Sequence, residues 1–231
     1  MIATYASGER GASEAARDGA TVVIVDAYRA STTISVLISK GARVIPVASI
    51  EEAAAYSGAD YRVGERDSAK IPGFDFGNSP TEIERAEIER GATVVLSSTN
   101  GTRILAAALD APTILTGAFV NAHAIADNIS TDTTNEKVAV IGCGWRGHRS
   151  SEDESASGAI LQRLEERGAI LGDRAERIVQ NYLTRPEKSL RNNTAAKRLN
   201  RLNYAHDLDI CLALNTIPVV PRLVDGAFVA G

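Results

Sequence analysis

The chain has 231 residues, 44% of them hydrophobic and 23% charged, which is ordinary for a globular protein with enough core to fold without staples. A net charge of −4 and a pI near 5.5 argue against a general nucleic-acid binder, which needs a strongly basic surface. Two cysteines, Cys143 and Cys211, make no disulfide framework, and no apolar run approaches the roughly 18 residues of a membrane helix. The amino terminus carries Glu9 and Glu14 and lacks an apolar stretch, so it does not read as a signal peptide, and a cytoplasmic protein is expected.

Taken in chain order, strand-like runs fall near 22–25, 43–47, 61–63, 93–96, 113–116 and 137–141. Helix-like runs alternate with them near 31–40, 50–57, 81–90, 101–110, 119–129 and 152–167. That alternation predicts an α/β fold with a mainly parallel or mixed sheet between helical layers, a three-layer α/β/α arrangement. Beyond residue 172 the pattern turns helical, and the basic stretch from Arg185 to Arg201 reads as a solvated helical face. The closing IPVVP at 217–221 predicts a short strand at a sheet edge, bounded by prolines. The polar segment 130–136 is the best candidate linker. The chain reads as one domain over 1–231, with two packed subdomains, 1–129 and 137–231, left open.

The first strand run is the most informative. Val22 to Val25 are β-type throughout, as in a strand buried on both faces. The run ends in Asp26, Arg29, Ser31, Thr32 and Thr33, and then a helix with Ile34, Leu37 and Ile38. A carboxylate and a guanidinium at a strand's carboxyl end, facing a helix N-terminus, can together hold a metal ion and an anion. The same design recurs. Residues 94–109 give a strand, then Ser97, Ser98, Thr99, Asn100, Gly101 and Thr102, then a helix. Residues 138–153 give a strand, a glycine-rich turn, and a helix opening with Glu152 and Asp153. Ligands of open α/β sheets bind beyond the carboxyl ends of the strands, so these three ends predict one composite site for a phosphorylated or otherwise anionic small molecule. The irregular segment 64–80 adds Glu65 directly after a short strand, with Asp75 and Asn78 supplying further oxygens.

Familiar motifs fit less well. The Walker pattern is absent, and Gly142, Gly144 and Gly147 spell GxGxxG but precede a helix that begins only near Glu152. Cys143 and Arg149 have the C-x5-R spacing of cysteine-dependent phosphatases without the usual glycines and histidine. A haloacid-dehalogenase motif needs a second Asp where Tyr28 stands. His123, His148 and His206 make no zinc-like pair with a cysteine.

VDAYRASTTI (25–34), GERDSAKIPGFDFGNSP (64–80), SSTNGT (97–102), the loop from Cys143 to Asp153 and the PVVP end resemble the 2-phosphosulfolactate phosphatase family, in the family's order and over nearly the whole chain. The resemblance implies Mg²⁺-dependent hydrolysis of (R)-2-phospho-3-sulfolactate to 3-sulfolactate and phosphate, a step of coenzyme M biosynthesis. Some family members occur in organisms without coenzyme M, which leaves open another phosphorylated 2-hydroxy acid, and a non-catalytic phospho-ligand binder is the rival class. On this reading Asp26 and Glu65 hold Mg²⁺, with Glu152, Asp153 or Asp75 as further ligands. Arg29, Ser31, Thr32 and the group from Ser98 to Thr102 bind the phosphoryl group. Arg66 and Lys70 meet the distal sulfonate or carboxylate. The nucleophile is metal-activated water, with Asp26 or Cys143 as covalent alternatives. The expected partner is a small phosphorylated and sulfonated acid, with no nucleic acid and no membrane; a homo-oligomer is compatible with the sequence.

Overall fold

Each strand and helix expected between residues 22 and 167 is present, and the sheet begins one strand earlier than the hydrophobic runs suggest. The computed structural model describes residues 1–132, 134 and 136–231. It opens with β1 (Ile2–Ser7), α1 (Gly8–Arg17), β2 (Thr21–Val25), α2 (Ala30–Ser39), β3 (Arg43–Val47), α3 (Ile50–Ala55) and β4 (Tyr61–Arg66). A short β5 (Ala69–Lys70) folds back on β4. Then follow α4 (Pro80–Arg85), β6 (Thr93–Ser97), α5 (Gly101–Ala107), β7 (Ile114–Thr116), α6 (Ala122–Thr131), β8 (Lys137–Gly142) and α7 (Ser151–Glu166). After β9 (Ile170–Leu171) come α8 (Asp173–Thr184), α9 (Glu187–Leu190), α10 (Thr194–Arg201) and α11 (Asp207–Cys211), and the chain closes with β10 (Pro221–Val224) and β11 (Ala227–Ala230).

Among the described residues the strands form one mixed, mainly parallel sheet in the order β5-β4-β6-β3-β11-β10-β7-β2-β8-β1-β9. Two parallel groups, β4-β6-β3 and β7-β2-β8-β1-β9, are joined by the antiparallel β10–β11 hairpin. The expected edge strand at 217–221 is therefore corrected: β10 begins at Pro221, and the hairpin lies in the middle of the sheet. Asp225 and Gly226, both at positive φ, make its two-residue turn, the conformation Asp-Gly favours between hairpin strands. The polar segment 130–136 is followed at once by β8, which pairs with both β1 and β2, so the sheet does not divide there. Thr133 and Asn135 of that segment lie outside the described residues.

Period-two alternation assigns each strand to two cores. In β2, Val23 and Val25 pack with α6, α7 and α8, while Val22 and Ile24 pack with Leu37 of α2 and Leu105 of α5. In β6, Val94 and Leu96 enter that same second core, and Val95 faces a third with Ala53 and Phe74. The second core is thus common to both parallel groups, and although four strands separate β2 from β6 in the sheet, the turns that follow them meet at Gly101. A fourth, small core of Ala196, Leu199 and Leu208 packs on Tyr28 and Tyr204, seating α10 and α11 over the turn after β2. The basic stretch from Arg185 to Arg201 is corrected accordingly: one face of α10 is buried. No helix among the described residues is long and apolar enough to cross a membrane.

Candidate active site

Asp26 is the first residue past β2. Its N–H donates to Ser31 Oγ at 2.8 Å, and the Ala30 N–H reaches Asp26 Oδ1 at 3.4 Å. From the other parallel group, the β6–α5 turn closes against it. A Cβ at Gly101 would stand 3.2 Å from Ser98 Oγ and 3.6 Å from Asp26 Oδ2, so a glycine lets the turn approach this closely. The Asp26 carboxyl is pushed up to about 7 by burial first, then by the negative charges of Glu65 and Glu152; the Ala30 N–H and Arg29 act in the opposite direction.

Glu65, at the end of β4, is buried and accepts hydrogen bonds from the N–H of Ser68 at 2.6 Å and of Thr99 at 2.7 Å. It thereby ties the β4–β5 turn to the β6–α5 turn. Glu152, in the first turn of α7, is buried; its Oε2 accepts from Asn193 Nδ2 at 2.8 Å and Ser151 Oγ at 3.4 Å, and burial raises its pKa. The buried hydroxyls of Ser98 and Thr99 have no hydrogen-bond partner. Two carboxylates crowding a third, with orphaned hydroxyls on the neighbouring turn, are what a cation and its anionic ligand would satisfy.

Among the described residues, no three His, Cys, Asp or Glu side chains converge tightly enough to chelate an ion by themselves. Magnesium does not require that, since it is commonly held by one or two carboxylates, substrate phosphate oxygens and water. The donor set of Asp26, Glu65 and Glu152, all oxygens, fits such an ion.

Several expected site residues are engaged elsewhere. Asp153 accepts from the N–H of Ala27 and of Gly144, both at 2.8 Å, and from Ser150 Oγ at 2.6 Å, so its two oxygens pin the loop rather than face the cleft. Gly144 serves that contact at φ +69°, where a Cβ would lie 2.3 Å from His148 O. Arg29 is fully buried: Nη1 donates to Asp207 Oδ2 at 2.6 Å, Nη2 to Ser68 O at 2.8 Å, and the guanidinium stacks on Tyr204. It is a strut between the β2 turn and the carboxyl-terminal helices. Ser31 and Thr32 are buried and spent on Thr116 and on backbone groups.

Cys143 lines the glycine turn, but burial and the charges of Asp26 and Asp153 push its thiol well up, so no thiolate is favoured; Arg149 pairs with Glu154. Asp75 Oδ2 accepts from the Arg62 N–H, and its carbonyl accepts from Lys70 Nζ, both at 2.7 Å, in an exposed part of the loop. Arg66 donates to its neighbour's carbonyl, Glu65 O, at 2.7 Å and to Ser97 Oγ at 3.1 Å. Asn78 is buried with Oδ1 unpartnered, Thr102 Oγ1 bonds Ser98 O, and Asn100 precedes α5 without capping it by its side chain.

The sequence reading passed over four residues that frame this region: Trp145, Asn193 and Arg198, which line the space beside Glu152, and the buried Asp207, which holds Arg29. Asn193 caps α10, accepting from the Ala196 N–H, while its amide group holds Glu152. An Asn ahead of an Ala-rich run is a helix-start signal and could have been found; its second role could not.

These features define a mixed α/β protein with an acidic site at the carboxyl ends of its parallel strands. A family model described as 2-phosphosulpholactate phosphatase matches residues 7–226. The chain is 40% identical over 210 residues to a protein named probable 2-phosphosulfolactate phosphatase from Carboxydothermus hydrogenoformans, covering 87% of this chain and 85% of that one. It is 34% identical over 212 residues to one of the same name from Thermotoga petrophila, covering 90% and 91%. The chain belongs to the 2-phosphosulfolactate phosphatase family.

Proposed function

We propose that this protein is a magnesium-dependent phosphatase that hydrolyses (R)-2-phospho-3-sulfolactate to 3-sulfolactate and phosphate, as a cytoplasmic step of coenzyme M synthesis or of a related sulfonate route. The names its relatives carry support the substrate. The observation that carries the chemistry is Asp26, crowded by Glu65 and Glu152 and sharing its pocket with the orphaned hydroxyl of Ser98.

In the reaction a water oxygen bonds to phosphorus, the bond from phosphorus to the substrate's C2 oxygen breaks, and the departing alkoxide takes a proton. Asp26 and Glu65 would hold Mg²⁺, which when bound neutralises charge on the phosphoryl oxygens and orients water. Holding the ion requires Asp26 as the carboxylate, and a cation returns its raised pKa toward the ordinary range. Glu65 is kept aimed by the two amides it binds. The Ser98 and Thr99 hydroxyls donate to phosphoryl oxygens. Glu152, with one oxygen fixed by Asn193 and its pKa raised by burial, is suited to hold the proton that water loses and the alkoxide gains.

The test is phosphate release from (R)-2-phospho-3-sulfolactate and from a panel of phosphorylated 2-hydroxy acids, with Mg²⁺ and after chelation. Release that needs Mg²⁺ and favours the sulfonated ester is expected. No release from any ester would leave a phospho-ligand binder, and full activity after exhaustive chelation would remove the metal.

A further inference from the structure

Beside the acidic cleft lies a cavity of about 390 Å³ lined by Trp145, His148, Ser151, Glu152, Asn193 and Arg198 among others. Glu152 belongs to both spaces, so whatever occupies the cavity is next to the phosphoryl site. Arg198 is held in place on two sides: Nε donates to Ser68 Oγ at 2.8 Å, and the guanidinium lies 3.8 Å from the centre of the Trp145 ring. It makes no ion pair among the described residues, although Glu152, Glu65 and Asp67 are near enough to act on it electrostatically. The cavity's other arginine, Arg149, is paired with Glu154. The carboxylate of Glu152 is partly covered by the Asn193 amide, which limits its repulsion of an anion.

An arginine fixed by an aromatic face and one neutral hydrogen bond, at the wall of an open cavity, is arranged to receive a planar or tetrahedral oxyanion. The residues first expected to do so are bonded elsewhere: Arg66 to Glu65 O and Ser97, Lys70 to Asp75 O.

We propose that Arg198, stacked on Trp145, forms the subsite for the substrate's second anionic group, the sulfonate or carboxylate remote from the phosphoryl group. This rests on the phosphatase reading and says how that site selects doubly anionic esters over simple ones. The stack fixes the guanidinium before the ligand arrives, so little side-chain freedom is lost on binding.

The chain's single tryptophan is Trp145 itself, so its emission reports occupancy without any turnover. Two measurements test the subsite. In the first, 3-sulfolactate, which lacks phosphate, is titrated while Trp145 fluorescence is read. A saturable change is expected in the wild type, with apparent Kd raised about 10- to 100-fold in Arg198→Gln and less in Arg198→Lys. In the second, kcat/KM is compared for (R)-2-phospho-3-sulfolactate and 4-nitrophenyl phosphate. Arg198→Gln should lower the ratio of the two by about 10- to 100-fold, through KM rather than kcat.

Equal losses on both esters would place the guanidinium at the phosphoryl group and overturn the subsite, as would an unchanged ratio with an unchanged titration. If the wild type releases phosphate from neither ester, the phosphatase reading fails, and the titration still decides whether Arg198 binds the sulfonate. Arg198→Met, which keeps aliphatic contact with Trp145 and loses the charge, should behave as Arg198→Gln; a misfolded Gln variant therefore does not spare the proposal.

Discussion

The turn after β2 and the helix α10 meet over one cleft, and each carries an arginine, yet the two arginines are partnered in opposite ways. Arg29 is sealed in, with a carboxylate, a carbonyl and an aromatic ring as partners. Arg198 has the aromatic ring and one hydroxyl but no carboxylate, and it borders open space. A guanidinium whose charge is already answered holds a fold together; one whose charge is left unanswered at a cavity is available to a ligand. Position beside Asp26 in sequence made Arg29 look like the binder. Partnering, not proximity, separates them.

The largest effect should come from the one group of the β2 turn that is unanswered. Asp26→Asn should lower kcat/KM by at least about 10³-fold, roughly 4 kcal/mol of transition-state stabilisation. Without metal the same change should help the fold above pH 7. The carboxyl has a folded-state pKa near 7 against about 4 unfolded, so its contribution is fully present below pH 4 and is lost as pH rises through 7. Metal-free wild type should therefore melt lower at pH 8 than at pH 5.5, with a smaller difference in Asp26→Asn. Mg²⁺ should raise the melting temperature of the wild type at pH 8 and leave the variant nearly unmoved. A wild type that melts alike at both pH values and ignores Mg²⁺ would break the account of Asp26.

Arg29 gives the next effect, on stability. Asp207 is buried and also accepts from Ser79 Oγ at 2.6 Å and the Thr81 N–H at 3.2 Å. Asp207→Ala leaves a buried guanidinium without its counter-charge, which costs about 3–5 kcal/mol. In a chain of this size that lowers the melting temperature by roughly 2–4 °C per kcal/mol. Pairing it with Arg29→Met should recover part of the loss. An Asp207→Ala protein of normal stability whose KM for phosphate esters rises would instead make Arg29 a ligand group, and the contrast with Arg198 would collapse.

The parallel strands and their helices were legible because each buries one or two apolar faces whose period shows in sequence, as Val22 to Val25 do. Asp26 and Glu65 were legible for a related reason, since a charge directly after an apolar run marks a strand's end, and Glu152 was legible as an acid opening a helix. What the sequence withheld is partnering across distance. Asp207 lies 178 positions from the arginine it neutralises, and Asn193 lies 41 from the Glu152 it fixes. Nothing local distinguishes those residues from surface polar groups. The β10–β11 hairpin was missed for another reason: Asp225-Gly226 between LV and AF is a local signal, and the prolines just before it drew attention to the wrong five residues.

Cys143 should matter less than either region. Its thiol is kept protonated by burial and neighbouring carboxylates, and the proposed hydrolysis needs no thiolate. Cys143→Ser should keep at least about a third of kcat, the equivalent of less than 1 kcal/mol. Iodoacetamide should leave the folded enzyme active. A dead serine variant together with phosphate-protected alkylation would make the thiol the nucleophile.

The smallest effect on activity is expected at Arg66, and it sharpens the contrast most. Arg66 follows Glu65 directly, so like Arg29 it sits beside a site carboxylate in sequence. Its guanidinium donates to Glu65 O and Ser97 Oγ, within its own strand and the adjacent one. Arg66→Gln removes two hydrogen bonds to neutral acceptors in a half-buried setting, about 0.5–1.5 kcal/mol each at most. It should lower the melting temperature by a few degrees and change KM for the sulfonated ester by less than about 2-fold, because no ligand contact is lost. Arg198→Gln also gives up a hydrogen bond and a stack, and differs in raising KM for the sulfonated ester. Should Arg66→Gln raise KM selectively while Arg198→Gln does not, the second anion belongs to the β4–β5 turn, and the cavity under α10 loses its assignment.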